Sequence, residues 1–313
     1  MDNVTTTKDL IIKIHKLFVD NKDKIPSVVT FKKGVLPPLP AFPALAILPI
    51  EETFNYNYSG GRYKVNRKME LQVITKTVNK RDGRDQVEDL IDKCNRILRD
   101  NPTIEDQCFD CIVSVQDLGD PIERDNSLLT FGVITLSCLS FEDKPERRES
   151  VIELYETKSN HLVSQIYDQF IKYKNDQDYP LNSISTLHVQ TLGPQPAFPV
   201  VIISDMGCDR IRQFTGIDMP SREIRIEVIT KLLDKDFALF QNLDICENIK
   251  RVLQMDYTLG GAAINSEVER INYFRNKDES LGLLYDSIFT FTCQTLEYLR
   301  DEEVMNEKDK KSW

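Results

Sequence analysis

With 313 residues, 41% of them hydrophobic and 29% charged, the chain has the length of about two ordinary domains and the balance of a folded protein. Acidic residues outnumber basic ones by 50 to 40, a net charge of −10 that argues against a surface binding nucleic acid by phosphate neutralisation. No stretch approaches the roughly 20 apolar residues that span a bilayer, since the longest apolar run, Ala41 to Ile50, is broken by Pro43 and Pro49.

The first nine residues lack a basic region followed by an apolar core, so no secretory signal is expected. A helix is predicted after Thr6 and Thr7, with Leu10, Ile11, Ile14, Leu17 and Phe18 at helical spacing on one face. A proline-rich approach, Pro37-Pro38-Leu39-Pro40, leads into an apolar strand over Ala44 to Leu48. Ser59-Gly60-Gly61 marks a turn before the alternating strand Met69 to Thr77. Val87, Leu90, Ile91, Cys94, Ile97 and Leu98 form the apolar stripe of the next helix, and two further strands follow, the last over Thr130 to Ser140.

The second half reads the same way. A helix carrying Val151, Tyr155, Leu162, Ile166, Phe170 and Tyr173 precedes Pro194-Gln195-Pro196 and an apolar strand over Val200 to Ile203. Ile245, Ile249, Val252 and Leu253 repeat the helical stripe, and Tyr285 to Thr295 is the closing strand. Direct matches fix the register. Ala41-Phe42-Pro43 recurs as Ala197-Phe198-Pro199 (197 − 41 = 156), and Val73-Ile74-Thr75-Lys76 as Val228-Ile229-Thr230-Lys231 (228 − 73 = 155). Arg96-Ile97-Leu98 matches Arg251-Val252-Leu253, and Val133, Thr135 and Cys138 match Ile288, Thr290 and Cys293, all at 155. Matches sharing one register across a domain length point to a tandem duplication. The expected fold class is α+β: two similar domains, each a mostly antiparallel sheet with helices on one face, in the order α-β-β-β-α-β-β twice. The expected boundaries are 1–142 for copy one, 143–149 for a polar linker, 150–300 for copy two and 301–313 for a charged tail.

Chemistry is sparse. His15, His161 and His188 share no ligand spacing and read as core-edge or surface residues. Seven cysteines, an odd number scattered among apolar residues, match the usage of a reducing compartment. Cys108-Phe109-Asp110-Cys111 has ligand or redox spacing, but a structural zinc site needs a second pair, so a loop and strand start is the better reading. Gly260-Gly261 and Gly60-Gly61 lack the context of a phosphate loop and read as turns. No catalytic residue, cofactor site or metal site is therefore nominated. The aromatic group Phe54, Tyr56, Tyr58 and Tyr63 flanks the Gly-Gly turn and supplies the candidate assembly-interface residues, against the alternative of an ordinary sheet face.

The layout resembles the tail terminator and tail-completion (neck) proteins of tailed bacteriophages. The resemblance is carried by Ala41 to Ile47, Met69 to Thr77, Val87 to Leu98 and Leu128 to Ser140 with their counterparts in the second half. It implies a non-enzymatic virion protein that assembles in the host cytoplasm as a homo-oligomeric ring, contacts tail tube and head-tail connector proteins, and lets DNA pass its lumen without specific binding. No membrane and no cofactor are implied. Two copies in one chain leave open three chains in a pseudo-six-fold ring or six chains in stacked rings. The competing readings are a pseudo-two-fold intracellular adaptor, and an enzyme using Cys108, Cys111 or His188.

Overall fold

In the computed structural model, residues 5–34, 40–57, 62–124, 126–143, 159–176, 181–190, 197–214, 217–231, 235–278, 282–295 and 297–298 are described. The first helix, α1 (Thr7–Asp20), starts where Thr6 and Asp9 form a capping box: each side chain accepts from the other residue's backbone N–H. Its buried face is Leu10, Ile11, Ile14, Leu17 and Phe18, the residues the helical period selects. Then come β1 (Thr30–Lys33), β2 (Ala44–Asn55), β3 (Arg62–Thr77), α2 (Lys80–Arg99), β4 (Asp110–Leu118), the short β5 (Ile122–Arg124) and β6 (Ser127–Asp143). The later elements are α3 (Ser159–Lys172), β7 (Thr186–Val189), β8 (Val200–Phe214), β9 (Ile217–Lys231), α4 (Lys235–Met255), β10 (Asn265–Asp278), β11 (Gly282–Gln294) and the two-residue β12 (Glu297–Tyr298). The fold is α+β and its strand pairs are mostly antiparallel, as the sequence predicts.

The described chain falls into two compact units. One comprises Met1–Lys144, Lys231–Asp244 and Asn272–Tyr285; the other comprises Pro145–Thr230, Ile245–Ile271 and Asp286–Trp313. The sequence reading cuts the chain once, at 143–149, whereas compactness also assigns two later segments to the first unit. The proposed linker lies largely, and the tail 301–313 wholly, outside the described residues, as do residues 151–158 of the helix expected there.

In the first unit the strand order is β4-β6-β3-β2, with β1 parallel on the opening residues of β2. Register fixes one covered face. Leu45 faces Val73, Ile47 faces Leu71, Leu71 faces Ile134 and Met69 faces Leu136, all buried in one cluster with α1, α2 and Ala238, Leu239 and Leu243 of α4. Each such side chain contributes about 1.5–3 kcal/mol on leaving water. Helix α2 comes closest to β6 at two glycines. A Cβ on Gly132 would lie 2.4 Å from Val87 Cγ1, and one on Gly83 would lie 2.5 Å from Thr130 Oγ1.

In the second unit the order is β10-β11-β9-β8-β7, which is the first unit's order displaced by one repeat. Register recurs with it. Thr30 pairs Ala44 and Thr186 pairs Val200; Ala44 pairs Ile74 and Val200 pairs Ile229. Irregularities recur too: β2 bulges between Pro49 and Glu51, β8 between Asp205 and Gly207, and 205 − 49 = 156. After α2, the consecutive residues Ile104, Glu105 and Asp106 are left-handed, with φ of 48°, 53° and 64°; after α4, Leu259, Gly260 and Gly261 follow suit at 50°, 67° and 92°. Three left-handed residues in a row are costly for side chains other than glycine, so their return at the repeat offset (259 − 104 = 155) is a demanding match.

Candidate functional site

The buried charged side chains of the first unit gather at one end of its covered face. Strand pairing sets them in a cross-strand row: Cys111 on β4 faces Cys138 on β6, Cys138 faces Arg67 on β3, and Arg67 faces Glu52 on β2. Arg67 is fully buried and Glu52 and Glu142 nearly so. Such charges persist in a core only when paired and hydrogen-bonded. Arg67 Nη2 donates to Glu142, Nη1 to the Ser140 hydroxyl and Nε to Thr7 Oγ1 at 3.1 Å, while Glu52 Oε2 lies 3.5 Å from Nε. Thr7 and Tyr273 each donate a hydroxyl to Glu52 Oε1, and the Tyr63 hydroxyl donates to Glu142 Oε2. Side chains from α1, β2, β3, β6 and β10 thus meet around one guanidinium.

The signal for this network is present in the sequence and is easy to pass over. Along β3 the inward positions run Tyr63, Val65, Arg67, Met69, Leu71, Val73, so Arg67 occupies the apolar phase of an alternating strand. Glu142 does the same after Ile134, Leu136, Cys138 and Ser140 on β6. Glu52 lies past the β2 bulge, which shifts its phase, and simple alternation from the core residues Leu45 and Ile47 does not find it. The repeat places an arginine at the equivalent inward site of the second unit: Arg222 pairs Cys208 across β8 and β9 and lies 3.8 Å from Asp205.

Next to Arg67, strand register adds Cys138 to the Cys108 and Cys111 pair that the sequence spacing marks. Cys111 and Cys138 sulfurs are 2.8 Å apart, and Cys108, from the loop after the left-handed turn, donates its thiol to the Pro102 carbonyl at 3.9 Å. The neighbouring Cys111 and Cys138 thiols hold the Cys108 thiol well below the ordinary value; Cys108 in turn pushes Cys111 up to about 12 and raises Cys138 as well. Among the described residues no group of three or more His, Cys, Asp or Glu is arranged to hold a metal ion. Around a zinc ion with ~2.3 Å bonds, tetrahedral sulfurs stand about 3.8 Å apart, so the Cys111 and Cys138 pair is too close to admit one.

The aromatic candidates form an internal stack. Phe54 and Tyr56 have ring centroids 6.4 Å apart, Tyr56 and Tyr63 5.1 Å, and Phe54 and Tyr63 6.2 Å. Phe54 and Tyr63 are buried and Tyr56 is half-buried; Tyr58 lies outside the described residues. Exposed apolar side chains instead mark β4 and the residue leading into it, on a strand that closes its sheet order and pairs β6 alone among the described residues: Phe109 is 71% and Ile112 57% exposed. His15 and His188 are half-buried and His161 is exposed, each far from the other two along the chain.

In the second unit, Asp286 is buried, with its carboxyl pushed up to about 7 by burial and by the neighbouring Glu227. A hollow of about 220 Å³ lined by Met219, Ser221, Asn265, Glu267, Glu269, Thr292 and Gln294 opens in that unit. Within its lining Thr292 donates to Glu269 and Asn265 to Glu267. Compared with known proteins, the chain matches no family model and no curated protein sequence.

Proposed function

We propose that the chain is a non-enzymatic structural protein of a tailed-bacteriophage virion, a duplicated tail-terminator or neck protein that closes into a ring between tail tube and head-tail connector. The observation that supports this reading is that helix, three strands, helix and a closing pair of long strands recur in both halves at the offset of the sequence matches, with β5 and β12 as short additions. Strand order, register, bulge and left-handed turn all return with it. A chain holding two like units supports head-to-tail association, because such contacts generate closed rings when the rotation closes. Strand edges support it as well. Strand β4 has an open edge with apolar Phe109 and Ile112 beside it, and β7 covers β8 only over Val200–Ile203. An open apolar edge is a template for pairing with another chain. In this reading β4 of one chain adds to the uncovered length of β8 on the next. The net charge of −10 suits a ring whose lumen passes DNA.

The test is mass measurement and electron microscopy of the purified chain, alone and with tube and connector partners. The expected particle weighs three or six times the 36.2 kDa of one chain, and either form should appear as a symmetric ring. A chain that stays monomeric under all these conditions refutes the reading.

A further inference from the structure

The three clustered thiols have a chemistry that neither packing nor assembly calls for. Cys111 and Cys138 are direct partners across the antiparallel pair β4 and β6. Directly opposed residues in such a pair have Cα atoms about 4.5–5.5 Å apart, within the ~4.4–6.8 Å that a disulfide bridges. Their sulfurs already touch, at 2.8 Å. Access is graded: Cys111 is half-exposed on the edge strand, whereas Cys108 and Cys138 are buried. Two charges act on the Cys108 thiol, Asp110 against a thiolate and, more weakly, Arg67 in favour of one.

We propose that Cys111 and Cys138 form a redox-modification site, oxidised to a cross-strand disulfide by low-molecular-weight disulfides of the glutathione class. The steps balance as an ordinary thiol–disulfide exchange. Cys111, the one thiol of the three that is not fully buried, loses its proton to water and attacks one sulfur of the small disulfide, and the displaced thiolate leaves and takes up a proton. Cys138 then loses its proton and attacks the Cys111 sulfur of the mixed disulfide, expelling the second small thiolate. Two electrons and two protons pass from the pair to the oxidant, which departs as two thiols. The product fastens the edge strand β4 to β6 beside the buried guanidinium. This inference does not depend on the ring: it stands or falls on the thiols alone.

The experiment uses the full chain in buffers of oxidised and reduced glutathione, quenched with acid, alkylated with N-ethylmaleimide and mapped by peptide mass spectrometry. The expected product has five of its seven thiols alkylated (7 − 2) and one peptide pair joining Cys111 to Cys138, lost again on dithiothreitol treatment. In Cys138→Ser the crosslink disappears and glutathione stays bound at Cys111. Because that substitution lies in the core, Cys111→Ser is the companion: it should yield neither crosslink nor adduct in the trio. Seven alkylated thiols in the unaltered chain, a glutathione adduct that persists as its main product, or a link through Cys108 or Cys208 would each overturn the assignment.

Discussion

Arg67 is the residue on which most of the buried polar chemistry of the first unit converges. Replacing it by alanine leaves Glu52 and Glu142 buried without their cation, and such a loss costs about 3–5 kcal/mol. Urea unfolding of Arg67→Ala should show that drop in midpoint, with Lys68→Ala, a half-exposed neighbour, nearly unchanged. The left-handed turns make a second test, because one backbone shape carries Glu105 and Asp106 in one unit and Gly260 and Gly261 in the other. Gly260→Val, which forces a branched side chain to a φ of 67° and sets its Cβ 3.2 Å from Gln165 Oε1, should lower stability by about 1–2 kcal/mol. Asp106→Gly should move it the other way by a smaller amount, read from the same denaturant midpoints. Asp286 sets a pH dependence. Its folded value of about 7 lies above the ordinary 3.8, so between about pH 4 and 7 the folded chain holds a proton the unfolded chain has released, and stability falls as pH rises. Melting temperatures at pH 5 and pH 7.5 should therefore differ less in Asp286→Asn than in the unaltered chain; an identical pH dependence would show that Asp286 does not contribute. At this scale Arg67 and Glu142 are legible as charges in the apolar phase of their strands. The thiol trio is not, because Cys138 reaches Cys108 and Cys111 only through strand register.

The helices are the elements read most fully in advance. All six stripe residues of α2, from Val87 to Leu98, are buried, and the Thr6 cap starts α1 where expected. Strands prove longer than their apolar centres. β3 begins at Arg62 rather than Met69 and β8 runs on to Phe214, since backbone pairing continues through polar residues that hydrophobic pattern does not mark. The seam between α2 and β6 has no signature beyond two glycines, yet it admits no added methyl. Gly132→Ala should cost about 1–3 kcal/mol through displacement of Val87 and Ile91, measurable by thermal unfolding. Strand β4 carries the assembly prediction. Ile112→Lys places a charge on an exposed edge residue, so it should abolish the ring in sedimentation or mass measurements while leaving the unfolding midpoint within about 0.5 kcal/mol.

Across the whole molecule, the sequence repeat and the compact units divide the chain differently. The repeat follows backbone shape, which local pattern records, whereas compactness follows which segments share a core, which local pattern does not. Helix α4 makes the point: Ala238, Leu239 and Leu243 join the first unit's core, while Cys246, Ile249, Val252 and Leu253 lie buried in the segment assigned to the second. That arrangement bears on synthesis at the ribosome. Tyr273 meets Glu52 across 221 residues, and Lys231–Asp244 and Asn272–Tyr285 belong to the first unit although they are translated long after it begins. At roughly 5–20 residues per second, Glu52 waits on the order of 10–40 s for its tyrosine. For that interval the nascent chain holds an unfinished core, a surface on which chaperones can act before release.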